Sequence, residues 1–208
     1  MLNHHGFDLW ADHYDETVQL SEENNHYPFA GYKEILNVIF NEVMQTPNAK
    51  VLDIGFGTGV LTSQLYANGH QIDGIDFSRK MIDIAHAAMP NGNLMKWDIA
   101  KGLPPEIQDE KYDAIISTYA LHHLADEAKV EFITDLLPLL KKDGKIFIGD
   151  VAFETREKLN QCRQDSIDYW DDDEFYFVFD EFKSRLENMC HCEFHPISHC
   201  GGVFVISK

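Results

Sequence analysis

The feature that most constrains the fold of this 208-residue chain is the segment 51–59, Val-Leu-Asp-Ile-Gly-Phe-Gly-Thr-Gly. A short apolar run ends in Asp53, Gly55, Gly57 and Gly59 follow at alternate positions, and residues 60–65 begin a helical pattern. Glycine permits a tight turn and a close ligand approach, and the start of a helix offers free N–H groups. Strand, glycine turn and helix in this order therefore predict a nucleotide-like ligand site on an α/β sheet.

The details of the glycine loop exclude two common nucleotide sites. The dinucleotide pattern G-x-G-x-x-G needs a glycine where Val60 stands, and no Gly-Lys-Ser/Thr follows to form a Walker loop. The carboxylate of Asp53 would repel a pyrophosphate and suits a ligand that carries positive charge, such as S-adenosylmethionine with its amino group and sulfonium. A glycine turn without any ligand is the alternative.

Two further acidic residues end later strands of the pattern. Residues 71–76 form a predicted second strand that ends in Asp76, where a carboxylate can accept hydrogen bonds from two ribose hydroxyls. Ser78 is a suitable N-cap for the next helix. A third predicted strand ends in Asp98, and apolar faces for a ring are offered by Met81, Trp97 and Ile99. Each acid could alternatively serve only as a cap.

On these residues the chain resembles class I S-adenosylmethionine-dependent methyltransferases. Their first motif, an acidic residue followed by glycines at alternate positions, matches Asp53 to Gly59, and Asp-x-Ser-x-x-Met matches residues 76–81. The resemblance implies S-adenosylmethionine as cofactor and a contact of Asp98 with the adenine amino group. The predicted cofactor-binding residues are Asp53, Gly55, Phe56, Gly57, Gly59, Asp76, Phe77, Met81, Trp97, Asp98, Ile99, Ser117, Tyr14 and Tyr27.

A narrower similarity links the chain to the YrrT-type methyltransferases of Gram-positive bacteria. It rests on the segments 10–19, 117–124 and 150–154, and it weakens after about residue 160. The chain departs from that pattern at Phe56, where many relatives carry a smaller residue. A large side chain at this position is expected to narrow the methionine end of the pocket.

The predicted chemistry lies after the fourth strand, at Ser117-Thr118-Tyr119-Ala120-Leu121-His122-His123-Leu124. Methyl transfer from a sulfonium mainly requires alignment of the acceptor, and a base is needed only if the acceptor must lose a proton. Histidine titrates near neutrality, so the predicted catalytic residues are His122 and His123. The alternative is that the pair shapes the cofactor pocket.

The order of elements predicts the fold class. Strands are expected near 50–54, 71–76, 93–97, 112–117 and 145–150, helices near 26–44, 59–68, 78–88, 126–140 and 155–170, and two terminal strands near 191–198 and 202–207. This alternation predicts an α/β, Rossmann-like, mostly parallel sheet with helices on both faces and an antiparallel C-terminal strand pair. We expect one domain over 1–208, with an N-terminal helical lid (1–45), a cofactor-binding core (46–150) and a substrate-side insertion with terminal strands (151–208).

Aromatic residues mark two segments outside the predicted core. The first is the predicted lid, with Trp10, Tyr14, Tyr27, Phe29 and Tyr32, for which a docked helix without a catalytic part is the alternative. The second is the segment 168–177, Asp-Tyr-Trp-Asp-Asp-Asp-Glu-Phe-Tyr-Phe. Acids interleaved with aromatics suit an amine or cationic acceptor, although a solvated acidic surface has the same composition.

Charge and hydropathy restrict the partners. The formal net charge of −18, from 35 acidic and 17 basic residues, disfavours nucleic acid and an anionic membrane surface. No stretch approaches the roughly 20 apolar residues of a membrane helix, and no signal peptide is visible at the N-terminus. We therefore expect a cytoplasmic protein with a small-molecule acceptor. The sequence sets no oligomeric state.

The alternative function is a non-catalytic S-adenosylmethionine sensor or partner protein of the same fold, and a nicotinamide oxidoreductase is disfavoured by the glycine loop.

The four cysteines all lie in the last quarter of the chain, at positions 162, 190, 192 and 200. A cytosolic α/β protein keeps such cysteines reduced. Cys190-His191-Cys192 is spaced more tightly than paired zinc ligands, and the alternation of side chains on a strand explains it as well. No metal site is predicted.

Overall fold

The structure is a computed structural model that describes residues 26–208. Within this part, strands and helices alternate along the chain. The elements are α1 (Tyr32–Val43), β1 (Lys50–Ile54), α2 (Val60–Ala67), β2 (Gln71–Asp76), α3 (Arg79–Ala88), β3 (Asn93–Lys96), β4 (Tyr112–Thr118), α4 (Asp126–Leu136), β5 (Leu140–Phe153), α5 (Arg156–Asp165), β6 (Phe177–Val178), α6 (Phe179–Leu186), β7 (His191–Pro196) and β8 (Gly201–Ser207).

The strands form one sheet in the order β3-β2-β1-β4-β5-β8-β7, and β6 pairs with the end of β5. Strands β1 to β5 run parallel, whereas β8 is antiparallel to both of its neighbours. The chain adds β2 and β3 on one side of β1 and β4 on the other, so the crevice between the loops after β1 and β4 is a topological switch point. The predicted fold class is confirmed.

Consecutive strand residues face opposite sides of the sheet, and both sides are covered by helices. Val51 and Ile116 pack into the cluster formed with α1, α2 and α3. Leu52 and Ile115 pack into the cluster formed with α4 and α6. Continuous apolar strands such as β1 and β4 are therefore explained by burial on both faces.

The structure differs from the sequence prediction in several boundaries. Helix α1 begins at Tyr32 rather than near 26, after Gly31 in the left-handed conformation, and α5 ends at Asp165 rather than near 170. Strand β5 begins at Leu140, and its register with β4 shifts between the pairs Tyr112–Leu140 and Ala114–Lys145. Strand β6 and helix α6 are additional elements. The buried Phe182 and Leu186 on α6 are spaced by four residues, which is a helical spacing. The helix is too short for this spacing to repeat, so the sequence did not predict it.

The predicted lid is only partly within the described residues. Trp10 and Tyr14 lie outside the described residues, and Tyr27, Phe29 and Tyr32 lie within them. The division of the chain at 45 and 150 stays a prediction. Among the described helices, none combines the length and the apolar composition of a membrane span.

Candidate functional site

A cavity of about 730 Å³ opens at the carboxyl ends of the parallel strands. This volume is typical of a small-molecule site. Four connections after β1, β2, β3 and β4 supply its walls, which therefore come from segments far apart in the sequence. The lining residues are Gly55, Gly57, Asp76, Phe77, Ser78, Met81, Trp97, Asp98, Ile99, Ala100, Tyr119, Ala120, His123 and Leu124.

The three glycines of the loop have different neighbours. A Cβ built on Gly55 would lie 2.4 Å from the Ala120 Cβ, and one built on Gly59 would lie 3.2 Å from the Ala85 Cβ. Both glycines also have positive φ, 70° and 79°, which favours glycine at both positions. A Cβ built on Gly57 meets nothing within 4 Å, and this glycine lies in the cavity wall at φ 57°. The bare backbone of Gly57 is therefore where a ligand can approach the loop most closely.

Asp76 joins the glycine loop to the end of β2. Its Oδ2 accepts a hydrogen bond from the Gly57 N–H at 2.9 Å, and its Oδ1 accepts one from the Ser78 N–H at 2.7 Å. Ser78 caps α3 as predicted, since its Oγ accepts from the Met81 N–H. Asp76 thus holds two backbone segments in place while it borders the cavity.

Asp98 and Trp97 form the wall that follows β3. Asp98 Oδ1 accepts from the Ala100 N–H at 3.0 Å, and its Oδ2 lies 3.5 Å from Lys101 Nζ. The Trp97 indole N–H donates to the Gly102 carbonyl at 2.7 Å, which fixes the ring. Asp98 therefore both caps the turn that follows β3 and borders the cavity.

Asp53 is buried beneath the loop and does not line the cavity. Its Oδ2 accepts a hydrogen bond from the Thr62 hydroxyl, whereas its Oδ1 has no partner among the described residues. Burial raises its pKa to about 7, and the nearby charge of Asp76 adds to this effect, although the bond from Thr62 opposes it. Positive charge nearby would stabilise this carboxylate.

Other predicted cofactor residues lie beside the cavity rather than in its wall. Phe56 is buried in the core. Its ring packs so closely on Gly74 that a Cβ built on that glycine would lie 2.7 Å from the ring. Ser117 Oγ donates to the Ile54 carbonyl at 2.9 Å, between β4 and β1. Tyr27 stacks on Trp170 with ring centroids 5.0 Å apart.

Sequence reasoning missed part of the cavity wall. Tyr119, Ala120 and Leu124 line the cavity, and Tyr119 adopts a positive φ of 51°. They lie within the predicted segment 117–124 but were not named individually as cofactor-binding or catalytic residues. The only sequence evidence for these residues was their position, because they follow the carboxyl end of a central strand.

His122 is a buried residue held between two carboxylates. Its Nδ1 lies 2.6 Å from Asp150 Oδ1, and its Nε2 lies 3.4 Å from Glu174 Oε1. Burial by itself lowers the pKa of this imidazole, but the charges and hydrogen bonds of Asp150 and then Glu174 outweigh burial and raise the pKa to about 10. His122 therefore keeps its proton at neutral pH.

His123 lies in a different environment although it follows directly. Its side chain is 57% exposed and borders the cavity. Burial lowers its pKa, and the charge of His122 lowers it further, despite the opposing charge of Glu174. At neutral pH His123 is the member of the pair with a free lone pair at the cavity.

Glu174 reaches the histidine pair from the acidic insertion that precedes β6. Tyr176 OH donates to Glu174 Oε2 at 2.7 Å, and the Phe175 N–H donates to the His122 carbonyl at 2.8 Å. The buried Lys129 donates to the Phe175 carbonyl and, at 2.9 Å, to Asp126 Oδ1. The sequence marked the segment 168–177 as acidic and aromatic, but no local pattern singled out Glu174 within it, because its place beside the histidines depends on this packing.

The C-terminal cysteines and histidines do not converge on one point. Cys192 on β7 is buried, whereas His191, Glu193 and His195 on the same strand are exposed. All four cysteines are free thiols. Strand alternation accounts for the Cys-x-Cys segment.

Comparison with known proteins decides the family. An uncharacterized methyltransferase of Staphylococcus carnosus (strain TM300) is 34% identical over 188 residues, which are 88% of this chain and 84% of that protein. The chain belongs to the methyltransferase family. Residues 51–144 match the family described as "Methyltransferase domain". An uncharacterized methyltransferase of Geobacillus sp. (strain WCH70) is also 34% identical, over 84% of this chain and 82% of its own length.

The solved structures agree at the level of the fold. Magnesium protoporphyrin IX methyltransferase from Synechocystis PCC 6803, with bound SAH, has a TM-score of 0.69 at 19% identity, over 100% of this chain and 96% of that chain. The predicted methyltransferase family and enzyme class are confirmed.

Proposed function

We propose that this methyltransferase holds S-adenosylmethionine in the cavity after β1 and β2 and transfers its methyl group to a small uncharged or cationic acceptor. The observation that carries the proposal is the bare backbone of Gly57 facing a cavity of about 730 Å³, with its N–H bound to the Asp76 carboxylate. When bound, the cofactor supplies a methyl group already activated by the sulfonium.

The residues present fit this cofactor. Asp76 offers acceptor capacity for ribose hydroxyls, because a carboxylate that accepts two backbone N–H bonds still has free lone pairs. Asp98, with the apolar faces of Met81, Trp97 and Ile99, would hold the adenine. The partnerless Oδ1 of Asp53 and the raised pKa of that residue suit the positive charge of the methionine end.

The charge of the cavity wall supports the class of acceptor. Among the described lining residues, Asp76 and Asp98 are acidic, and neither lysine nor arginine is present. Glu174 adds a carboxylate behind His123. Lys101, which pairs with Asp98, offsets part of this negative charge. The excess of carboxylates would repel an anionic acceptor and would not repel an amine.

Alignment of the acceptor is the main task of the protein in this proposal. His122 keeps its proton between two carboxylates and holds the wall in place. His123 is the side chain at the acceptor side of the cavity and the remaining candidate for a base. The stack of Tyr27 on Trp170 joins the segment before α1 to the acidic insertion and supports a lid role for Tyr27.

The test combines binding with turnover. Calorimetry measures S-adenosylmethionine affinity, and mass spectrometry follows the gain of one methyl group by amines, thiols and phenols, with carboxylic acids and phosphate esters as the contrasting classes. We expect micromolar-range binding and methylation within the uncharged or cationic classes. Binding without turnover of any compound supports the sensor alternative, and methylation confined to the anionic classes contradicts the proposed acceptor.

A further inference from the structure

We propose that His122, His123 and Glu174 form a binding site for a first-row divalent transition-metal ion beside the cavity. One ring nitrogen of each histidine and one carboxylate oxygen of Glu174 all lie within 4.8 Å of one another. Two imidazoles and one carboxylate are a ligand set that proteins use for zinc and for non-haem iron. The site goes beyond methyl transfer, because ion binding can be measured without cofactor or acceptor.

The distances between the ligand atoms are close to those of a metal centre. Bond lengths of about 2.0–2.1 Å place neighbouring ligands of a tetrahedral ion about 3.3 Å apart. His122 Nε2 and Glu174 Oε1 are 3.4 Å apart, and His123 Nδ1 and Glu174 Oε1 are 3.9 Å apart. The distance from His123 Nδ1 to Glu174 Oε1 must shorten, and the exposed imidazole of His123 can rotate to achieve this.

Outer groups already orient two of the three ligands. The carboxylate of Asp150 lies 2.6 Å from His122 Nδ1 and fixes the ring so that Nε2 faces Glu174. Tyr176 OH donates to the second oxygen of Glu174 at 2.7 Å. A carboxylate behind a ligating histidine and a hydrogen bond to a ligating carboxylate are the usual support of a metal site.

An ion here would be open to the cavity. His123 lines the cavity wall, so positions not filled by protein ligands would face the acceptor. Nitrogen or oxygen of a small molecule could then complete the coordination. Ligation through Nδ1 leaves the proton of His123 on Nε2, so the ligand role and the base role of this residue exclude each other in the loaded protein. Metal binding displaces the proton of His122 Nε2.

The chain offers a matched control on β7. His191 Nε2 lies 2.9 Å from Glu193 Oε1, and His195 Nε2 lies 4.0 Å from Glu193 Oε2. This trio has the same residue types, but its side chains are more than half exposed. It represents adventitious metal binding at the surface.

The experiment titrates the untagged, chelator-treated full chain with Zn²⁺ alone, and measures bound metal after gel filtration. We expect one ion per chain. Glu174→Gln and His123→Ala should lose it, and Tyr176→Phe should weaken affinity roughly 10–100-fold, as for outer-shell changes in known sites. His191→Ala/His195→Ala should bind as the parent does.

Co²⁺ absorption provides a second readout that reports the ligand field directly. Visible bands that appear in the parent and vanish in His123→Ala support the site. Equal Zn²⁺ affinity in the parent and Glu174→Gln, or loss of binding in the β7 double variant, would overturn it. Failure of methyl transfer with intact Zn²⁺ binding counts against the proposed function alone.

Discussion

The backbone N–H of Gly57 donates to Asp76 Oδ2 at 2.9 Å, and this bond joins the loop after β1 to the end of β2. The two residues also share the wall of the cavity. A single carboxylate therefore holds the loop and borders the cavity. Substitutions at the two positions separate these effects.

Asp76→Ala tests the ribose contact. We expect S-adenosylmethionine affinity to fall by an amount equivalent to about 1.5–3 kcal/mol, as for hydrogen bonds to a charged group. Isothermal calorimetry with the cofactor and with its demethylated product gives the affinities. Asp83→Ala removes an exposed carboxylate that pairs with Arg79 on α3 and serves as the control. Unchanged affinity in Asp76→Ala would rule out the ribose assignment.

Gly57→Val tests the close approach to the loop. The side chain would enter the cavity, so cofactor binding should fall below detection, and the positive φ of 57° should also reduce stability. Gly69→Val is the matched control, because Gly69 has φ 88°, only an ordinary contact at its Cβ (Asn48 Oδ1 at 3.7 Å) and a position outside the cavity lining. Both variants should lose stability in thermal unfolding, but only the first should lose binding.

His123→Ala tests the acceptor side. For an acceptor that must lose a proton, we expect kcat to fall roughly 10²–10⁴-fold, with cofactor affinity nearly unchanged. Measurement on chelator-treated protein separates the base role from metal ligation. His122→Gln should instead lower stability, because Asp150 and Glu174 lose the cation between them. Full activity of His123→Ala would leave alignment as the whole contribution of the protein.

Asp53 should make stability depend on pH. A carboxyl pKa of about 7 in the folded chain exceeds the unfolded value, so the folded chain binds this proton more tightly. The stability that this bound proton gives the folded chain is fully present below the unfolded pKa of about 3.9. This stability is lost as the pH rises through about 7.

Thermal unfolding of the cofactor-free parent and of Asp53→Asn, over the pH range between the two pKa values, measures how much Asp53 contributes to stability. The parent should lose stability relative to the variant, on the order of a few kcal/mol, and the difference should be constant above about pH 8. A difference that does not change with pH contradicts the raised pKa.

Lys129→Met tests the anchoring of the acidic insertion. Lys129 is 1% exposed, and its ammonium binds the Phe175 carbonyl and Asp126. Its loss should lower the free energy of unfolding by about 1.5–3 kcal/mol. Hydrogen exchange at the Phe175 N–H, which is bound to the His122 carbonyl, should become faster. The exposed Lys183→Met, a lysine over the ring of Phe179, should leave both quantities unchanged.

The sequence by itself determined the fold class and the part of the cavity wall that follows β1, β2 and β3. Glycine turns, strand-terminal acids and the alternation of elements are local patterns, because backbone conformation and capping depend on residues close in the chain. Gly57, Asp76, Trp97 and Asp98 were therefore identified from sequence, and all four lie in the cavity wall.

Only the tertiary structure decided the environment of the two histidines that follow β4. His122 and His123 are adjacent in sequence and look equivalent there, but one is buried between Asp150 and Glu174 and the other faces the cavity. Packing of the acidic insertion brings Glu174 to the two histidines. The sequence separation between Glu174 and the histidines is too long for a local pattern to predict this contact. Burial and charge, which set the pKa values of the two imidazoles, are properties of this packing and not of the local sequence.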